Sequence, residues 1–315
     1  MFAITHRKIF YTISIILMAV SIGSLVMFGL KPSIDFTGGS MLEGYYESGA
    51  PSHDEVEAIV FEQGYEKASV RKAGDNGFFI KLPSITNEEK IALESTLTIN
   101  GSDFIEKQFT TVGPTLGREL ATKSTFALFL VILAIVCYVA YVFRSVSKPV
   151  SSWKYGFTAI IALVHDVVIA LGFFAILGAA TGTEIDTLFV TALLVILGYS
   201  VNDSIVVLDR VRENLGNVPE KQRKNNFIEV VGTSLRETIA RSVNTSITTL
   251  LALVALFIFG GQTTHDFSLA LIVGVVAGAY SSIFIAAPLL VTFFEKWPQK
   301  EETEKEKEEK EIGVM

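Results

Sequence analysis

Residues 9–28 read IFYTISIILMAVSIGSLVMF, with no charged side chain, and Gly29, Leu30, Lys31 and Pro32 follow. About twenty apolar residues in a helix cross the hydrocarbon core of a bilayer, so this stretch has the length of a membrane span. It is too long for the apolar core of a signal peptide, and no small-residue cleavage site follows it. It reads as a retained anchor, and every later segment is placed on one side of a membrane or the other.

Five further stretches qualify on the same grounds, at residues 125–143, 157–177, 188–208, 243–259 and 267–293. With 50% of its 315 residues hydrophobic and a mean hydropathy of +0.46, the chain is more apolar than soluble domains of this size. Lysine and arginine in the short connections set the orientation. Arg7 and Lys8 precede the first span, and Arg144, Lys148 and Lys154 lie between the second and third. Arg210, Arg212, Lys221, Arg223, Lys224, Arg236 and Arg241 lie between the fourth and fifth, whereas residues 179–186 and 260–266 contain neither type. Six spans then place every basic connection, and both termini, in the cytoplasm of a multi-pass membrane protein. The expected division is 1–30 for the N-terminus and first helix, 31–122 for an extracytoplasmic domain, 123–296 for helices two to six and 297–315 for a charged tail.

The domain between the first two spans has its own pattern. Residues 39–47 read as a strand. Ser52 with Glu55, and Thr86 with Glu89, are capping boxes that open helices to about residues 64 and 98. Residues 68–73 and 78–82 are short strands joined by Asp75, Asn76 and Gly77, a hairpin turn, and residues 104–111 make a last strand. The order βαββαβ is the ferredoxin-like arrangement. The predicted fold class is therefore a polytopic helical membrane protein with an α+β ferredoxin-like domain outside.

A net charge of −7 offers no basic patch for nucleic acid. Glu301, Glu302, Glu304, Glu306, Glu308, Glu309 and Glu311, interleaved with Lys305, Lys307 and Lys310, read as a solvated tail. Cys137 is the single cysteine, which excludes an internal disulfide and a thiolate metal pair.

Ionisable groups inside hydrocarbon cost roughly 2.5–3.5 kcal/mol on insertion scales, so each needs a reason. His165 and Asp166 fall mid-way along the third span, Asn202 and Asp203 in the cytoplasmic half of the fourth, and Arg241 where the fifth begins. Arg241, Thr245, Thr248 and Thr249 share one helical face, a polar stripe rising into the bilayer. A carboxylate and an arginine on neighbouring helices hold each other charged until a proton breaks the pair, which makes a two-state element. Two plainer readings stand beside it, a static pair that fixes packing and an Arg241 that snorkels to the interface. His165–Asp166 and His265–Asp266 are weak metal candidates, because adjacent residues point to different faces and no HExxH is present. Asp209–Arg210 reads as an interfacial charge pair. Ala270, Gly274, Gly278, Ser282 and Ala286 form a small-residue ridge at every fourth position, the pattern of a close helix–helix contact within the chain or with a partner. No motif for nucleophilic, phosphate-binding or zinc chemistry occurs, so neither catalysis nor a cofactor is expected.

Several of these residues resemble the SecF family of protein-export membrane subunits. They are Asp35-Phe-Thr-Gly-Gly-Ser at 35–40, with Gly38 and Gly39 at the domain entrance, Val-Gly-Pro at 112–114, His165–Asp166, and GYSVNDSIVVLDR at 198–210. The resemblance implies work with SecD, a second six-helix subunit, as a proton- or sodium-driven accessory of the Sec channel acting on an unfolded translocating polypeptide. It also implies a fold similar to resistance-nodulation-division transporters, of which this chain supplies one half. The family's essential aspartate then matches Asp203 and its arginine Arg241, with a partner acid expected on SecD. The alternatives are half of a small-molecule or lipid exporter of that superfamily, and a translocon scaffold that uses no ion gradient.

Overall fold

The computed structural model describes residues 2–47, 49–66, 68–98, 102–144 and 150–296. Lys148 and the acidic tail lie outside them. After a short helix α1 (Phe2–Thr5), the first span is α2 (Arg7–Phe28). A one-turn helix α3 (Ile34–Thr37) leads into β1 (Gly39–Tyr46), α4 (His53–Glu62), β2 (Ser69–Ala73), β3 (Gly77–Leu82), α5 (Asn87–Thr96) and β4 (Phe104–Val112). Then come α6 (Pro114–Val142), α7 (Ser152–Thr181), α8 (Thr187–Gly216), α9 (Glu220–Phe259), α10 (Gln262–Ser281), a π-turn (Ser282–Ala286) and α11 (Ala287–Lys296).

Among the described residues six helices are long and apolar enough to cross a membrane, the last being the run α10–π-turn–α11. They are not equivalent. Of the sixth span's apolar window 61% is buried inside the chain, against 6% of the second's and 11% of the fifth's. The third, fourth and sixth spans therefore form the middle of the bundle, and α2, α6 and α9 flank it.

Helices in lipid gain nothing from excluding water from one another, so close backbone approach has to hold them. Gly172 of α7 provides it for the first span, since a Cβ there would lie 2.4 Å from Ser21 Cα. Gly274 provides it for the sixth, where a Cβ would lie 2.3 Å from Ile196 Cγ1 of α8. Ala270, Gly274, Gly278, Ser282 and Ala286 thus face the fourth span of the same chain or its neighbour, with Ala270, Ser282 and Ala286 fully buried. The π-turn has a local cause. Pro288 has no N–H to give the Phe284 carbonyl, so the regular ladder cannot continue into α11.

The basic connection between the fourth and fifth spans is a helical hairpin rather than a loop. α8 runs on to Gly216, and α9 starts at Glu220 as a 40-residue helix. Val211, Leu215, Phe227, Val231 and Leu235 bury its inner face, and the Phe227 ring lies 4.4 Å from that of Phe294. Asp209 and Arg210 do not pair with each other as the sequence suggested. Neighbouring residues diverge on a helix, and Arg210 binds Glu213 at 2.7 Å and Glu237 at 2.6 Å while Asp209 binds Arg212 at 3.0 Å.

Between the first two spans, four antiparallel strands lie in the order β2-β3-β1-β4. Both helices open on complete capping boxes, Ser52 with Glu55 and Thr86 with Glu89. Val56 and Val60 of α4 and Leu93 of α5 pack with Leu42, Tyr46, Phe78 and Ile80 of the sheet, each such side chain contributing about 1.5–3 kcal/mol. Tyr46 donates its hydroxyl to the Leu97 carbonyl at 2.7 Å, and burial pushes that phenol up to about 12.

Candidate intramembrane and junction sites

Chain entry and exit of the sheet domain touch. Gly38 and Gly39 have φ of 74° and 134°, which favours glycine. Any Cβ on Gly38 would lie 2.7 Å from Pro114 Cα, and one on Gly39 would lie 2.6 Å from the Leu82 carbonyl oxygen. Gly117 in turn leaves room for the Gly38 nitrogen. The same turn docks on the bundle. Ser33 N–H donates to the Ile185 carbonyl at 2.9 Å, Ile185 N–H to that of Lys31 at 2.8 Å, and Asp35 accepts from Thr187 at the start of α8. Lys81–Glu184 at 2.9 Å and Arg71–Asp266 at 3.7 Å tie the sheet to the α7–α8 turn and to the start of α10. A cavity of about 270 Å³ remains in this junction, lined by Asp35, Arg71, Lys81, Asp186 and Asp266 among others. Burial, reinforced by the negative charge of Asp35 and Asp266, pushes the Asp186 carboxyl above its ordinary range.

Deeper in the bundle, α7 and α8 each bury an aspartate. Asp166 is 0% exposed, with His165 Nδ1 2.8 Å from its Oδ1. Ser200 Oγ and Ser281 Oγ both donate to its Oδ2, at 2.5 and 2.7 Å. Asp203 is 7% exposed and accepts from Ser282 Oγ at 2.5 Å. A buried carboxylate is tolerable only with such donors. His165 and Asp166 do meet, although adjacent on a helix, because both side chains turn toward the sixth span, where Tyr280 stacks 6.1 Å from the imidazole. The His165 Nε2 is buried without a partner among the described residues.

The expected pairing of Asp203 with Arg241 is not made. Arg241, Asn202, Thr245 and Thr248 are all exposed on the chain's surface. α9 carries two polar stripes, and the other one, Ser234, Thr238, Ser242 and Ser246, is the buried one. Ser246 accepts from the Tyr199 hydroxyl at 3.0 Å, which fixes that face against α8. Small hydroxyls satisfy themselves on backbone carbonyls within a packed interface, as Ser234 does with Val230, whereas a guanidinium needs room and a counter-charge. Ser200 and Ser281 were overlooked in the sequence. Their signal was available, since a hydroxyl in the middle of an apolar span is costly without a partner.

Six spans around two buried carboxylates, with a four-stranded antiparallel domain joining the first two, define a polytopic membrane protein with a globular head. The model of "Protein export membrane protein SecD/SecF, C-terminal" matches residues 92–296, and that of the "SecD/SecF GG Motif" matches residues 23–43, which include Gly38 and Gly39. The chain belongs to the SecD/SecF family of protein export membrane proteins. It is 41% identical over 302 residues to the protein translocase subunit SecF of Thermobaculum terrenum, covering 92% of this chain and 93% of that one. The SecF of Haemophilus influenzae is 38% identical over 283 residues, covering 89% and 82%. The crystal structure of SecDF, a translocon-associated membrane protein from Thermus thermophilus, superposes with a TM-score of 0.80 at 32% identity over 93% of this chain. This chain spans 38% of that longer one. SecDF in a super-membrane-facing form gives 0.65 at 31% identity, covering 96% of this chain and 40% of that one.

Proposed function

We propose that this chain is a non-enzymatic accessory subunit of Sec protein translocation that works with SecD and spends an ion gradient, of protons or sodium, on late stages of polypeptide export. The observation that carries the reading is the pair of buried aspartates, Asp166 and Asp203, hydroxyl-bonded across three packed helices in a chain of this family. An intramembrane carboxylate is costly to keep and marks an ion path by default. Moving one charge across 100 mV is worth about 2.3 kcal/mol, enough to bias a conformational equilibrium by tens of fold.

The outward stripe of Arg241, Thr245 and Thr248 fits a bundle that is half of a larger one, with SecD supplying the counter-charge. The sheet domain, with its βαββαβ order, is read as ferredoxin-like and extracytoplasmic, the part that handles the emerging chain. It stands at the end of the bundle that holds the α7–α8 and α9–α10 connections, residues 179–186 and 260–266, which contain no lysine or arginine, while Arg210 and Arg212 stand at the other, which supports cytoplasmic termini.

Affinity purification from native membranes tests the assembly: SecD and the Sec channel are expected to co-purify. Recovery of the chain alone, under conditions that keep the channel itself intact, would overturn it. Impermeant labelling of cysteines placed at Ser52 and Asn217, in a Cys137→Ser background, is expected from opposite sides of the membrane, and labelling of both from one side contradicts the topology.

A further inference from the structure

The sixth span carries two serines in succession, and each reaches a different carboxylate. Ser281 Oγ donates to Asp166 Oδ2 on α7 at 2.7 Å, and Ser282 Oγ donates to Asp203 Oδ2 on α8 at 2.5 Å. Successive helical residues point about 100° apart. One hydroxyl therefore goes to the third span and the next to the fourth because α10 packs against both. Each hydroxyl also has a second acceptor in its own helix, Gly278 O at 3.2 Å for Ser281 and Ala279 O at 3.2 Å for Ser282. The pair stands where α-geometry gives way to the π-turn, which begins at Ser282. Such turns are local departures from the helical ladder that recur at functional sites.

We propose that Ser281 and Ser282 are positioning residues that couple the protonation of Asp166 to that of Asp203 through the π-turn. The proposal rests on reading Asp203 as an ion-carrying group. A hydroxyl bond to an ionised carboxylate is roughly twice as strong as one between neutral groups. When the carboxylate takes a proton that advantage goes, and the serine turns to its own i−3 carbonyl. Ser281 and Ser282 share a peptide unit, so a change of turn geometry at one moves the other relative to its own aspartate. The titratable groups around the pair are His165 on α7, Tyr280 on α10 and Tyr199 on α8. Tyr280 donates to the Phe10 carbonyl of α2 at 3.0 Å and accepts from Ser14, and Tyr199 donates to Ser246 of α9. Among the described residues His165 is the one basic side chain within ion-pair distance of either aspartate, and Arg241 faces outward from α9.

The test is the pH titration of the Asp166 carboxyl infrared band in the purified complex with SecD in lipid. The band is identified by its loss in Asp166→Asn or, where that variant does not assemble, its displacement in Asp166→Glu. Ser282→Ala removes the bonds to Asp203 and to the Ala279 carbonyl and none to Asp166, yet is expected to move the Asp166 titration by about one pH unit. Ser282→Thr keeps the hydroxyl and is expected to leave it in place. An Asp166 titration unmoved in Ser282→Ala, or moved equally by Ser282→Thr, overturns the coupling. Export by Asp203→Asn, measured on the same preparations, separates the two claims. Normal gradient-driven export there sinks the ion-coupled reading, whereas loss of gradient stimulation in Asp203→Asn with an Asp166 band unmoved by Ser282→Ala sinks the serine coupling alone.

Discussion

Asp35 reaches across the molecule to Thr187: its Oδ2 accepts the Thr187 backbone N–H at 3.1 Å and the Thr187 hydroxyl at 2.8 Å. Thr187 is the first residue of the fourth span, so a carboxylate from the domain entrance caps the helix that carries Asp203. A negative charge at a helix N-terminus meets unsatisfied N–H groups and the positive end of the dipole. The sheet domain and the aspartate-bearing helix are thereby linked through one side chain. Asp35→Ala is expected to cost about 1–2 kcal/mol, and Asp35→Asn, which keeps an acceptor, about half as much. Thermal unfolding in detergent measures it, and unchanged midpoints for both variants contradict the link.

Two glycines with positive φ should respond differently to alanine. Gly39 is confined by both its backbone angle and the Leu82 carbonyl, while Gly64 has φ of 89° and nothing within 4 Å of a built Cβ. Gly64→Ala carries only the left-handed cost of about 1 kcal/mol. Gly39→Ala has to displace β3 as well and should unfold the domain at clearly lower denaturant concentration. Equal effects would mean that the Gly39 contact relaxes freely.

The same contrast applies inside the membrane. Gly274→Ala puts a methyl into Ile196, whereas an alanine Cβ at Gly278 meets its neighbours at 3.5–3.6 Å, ordinary contact. Folded yield in membranes is expected to fall for Gly274→Ala and to hold for Gly278→Ala. Gly278→Leu should fail, since its longer side chain reaches Ser200 and Asp166. Normal recovery of Gly278→Leu would contradict the packing of the sixth span against the third and fourth.

His53 gives the domain a pH dependence. Its Nε2 donates to the Val70 carbonyl at 3.0 Å, and its Nδ1 lies 3.2 Å from Asp54; the carbonyl bond, more than the carboxylate, holds its pKa above the ordinary value. A histidine whose folded pKa is raised adds stability that is complete below about pH 6.5 and is lost as pH rises through the raised value. The ring is partly exposed, so the effect is roughly a few tenths of a kcal/mol. Hydrogen exchange in α4, corrected for intrinsic rates, should show more protection at pH 6 than at pH 8, and His53→Gln should flatten the difference. Equal protection in the parent protein would refute the assignment.

The spans were legible because a bilayer leaves a chain few choices, and the capping boxes at Ser52 and Thr86 because their chemistry is local. The strands of the sheet fall within one or two residues of their expected bounds for the same reason, the turn Asp75–Gly77 being self-announcing. The connection between the fourth and fifth spans was harder. Its charges read as a loop, while its apolar residues at 211, 215, 227, 231 and 235 bury a helical hairpin. At the site, His165, Asp166 and Asp203 were visible as charges in hydrocarbon. The inward face of α9 was not, because a sequence shows both Arg241–Thr248 and Ser234–Ser246 as polar stripes, and only packing against Tyr199 selects between them. The role of Ser281 was hidden because its partner Asp166 lies 115 residues away.

Ion-coupled export by this chain requires Asp203 to bind and release an ion. The most direct measurement is export of a polypeptide by membranes or proteoliposomes holding this chain, SecD and the Sec channel, with and without an imposed ion gradient. Asparagine at 203 keeps the size of the side chain and an oxygen for Ser282, but it cannot ionise. Asp203→Asn is expected to assemble with SecD and to lose the gradient-stimulated part of export while keeping the part that needs no gradient. Full gradient stimulation in Asp203→Asn would contradict the account and make Asp203 a packing residue of a scaffold subunit.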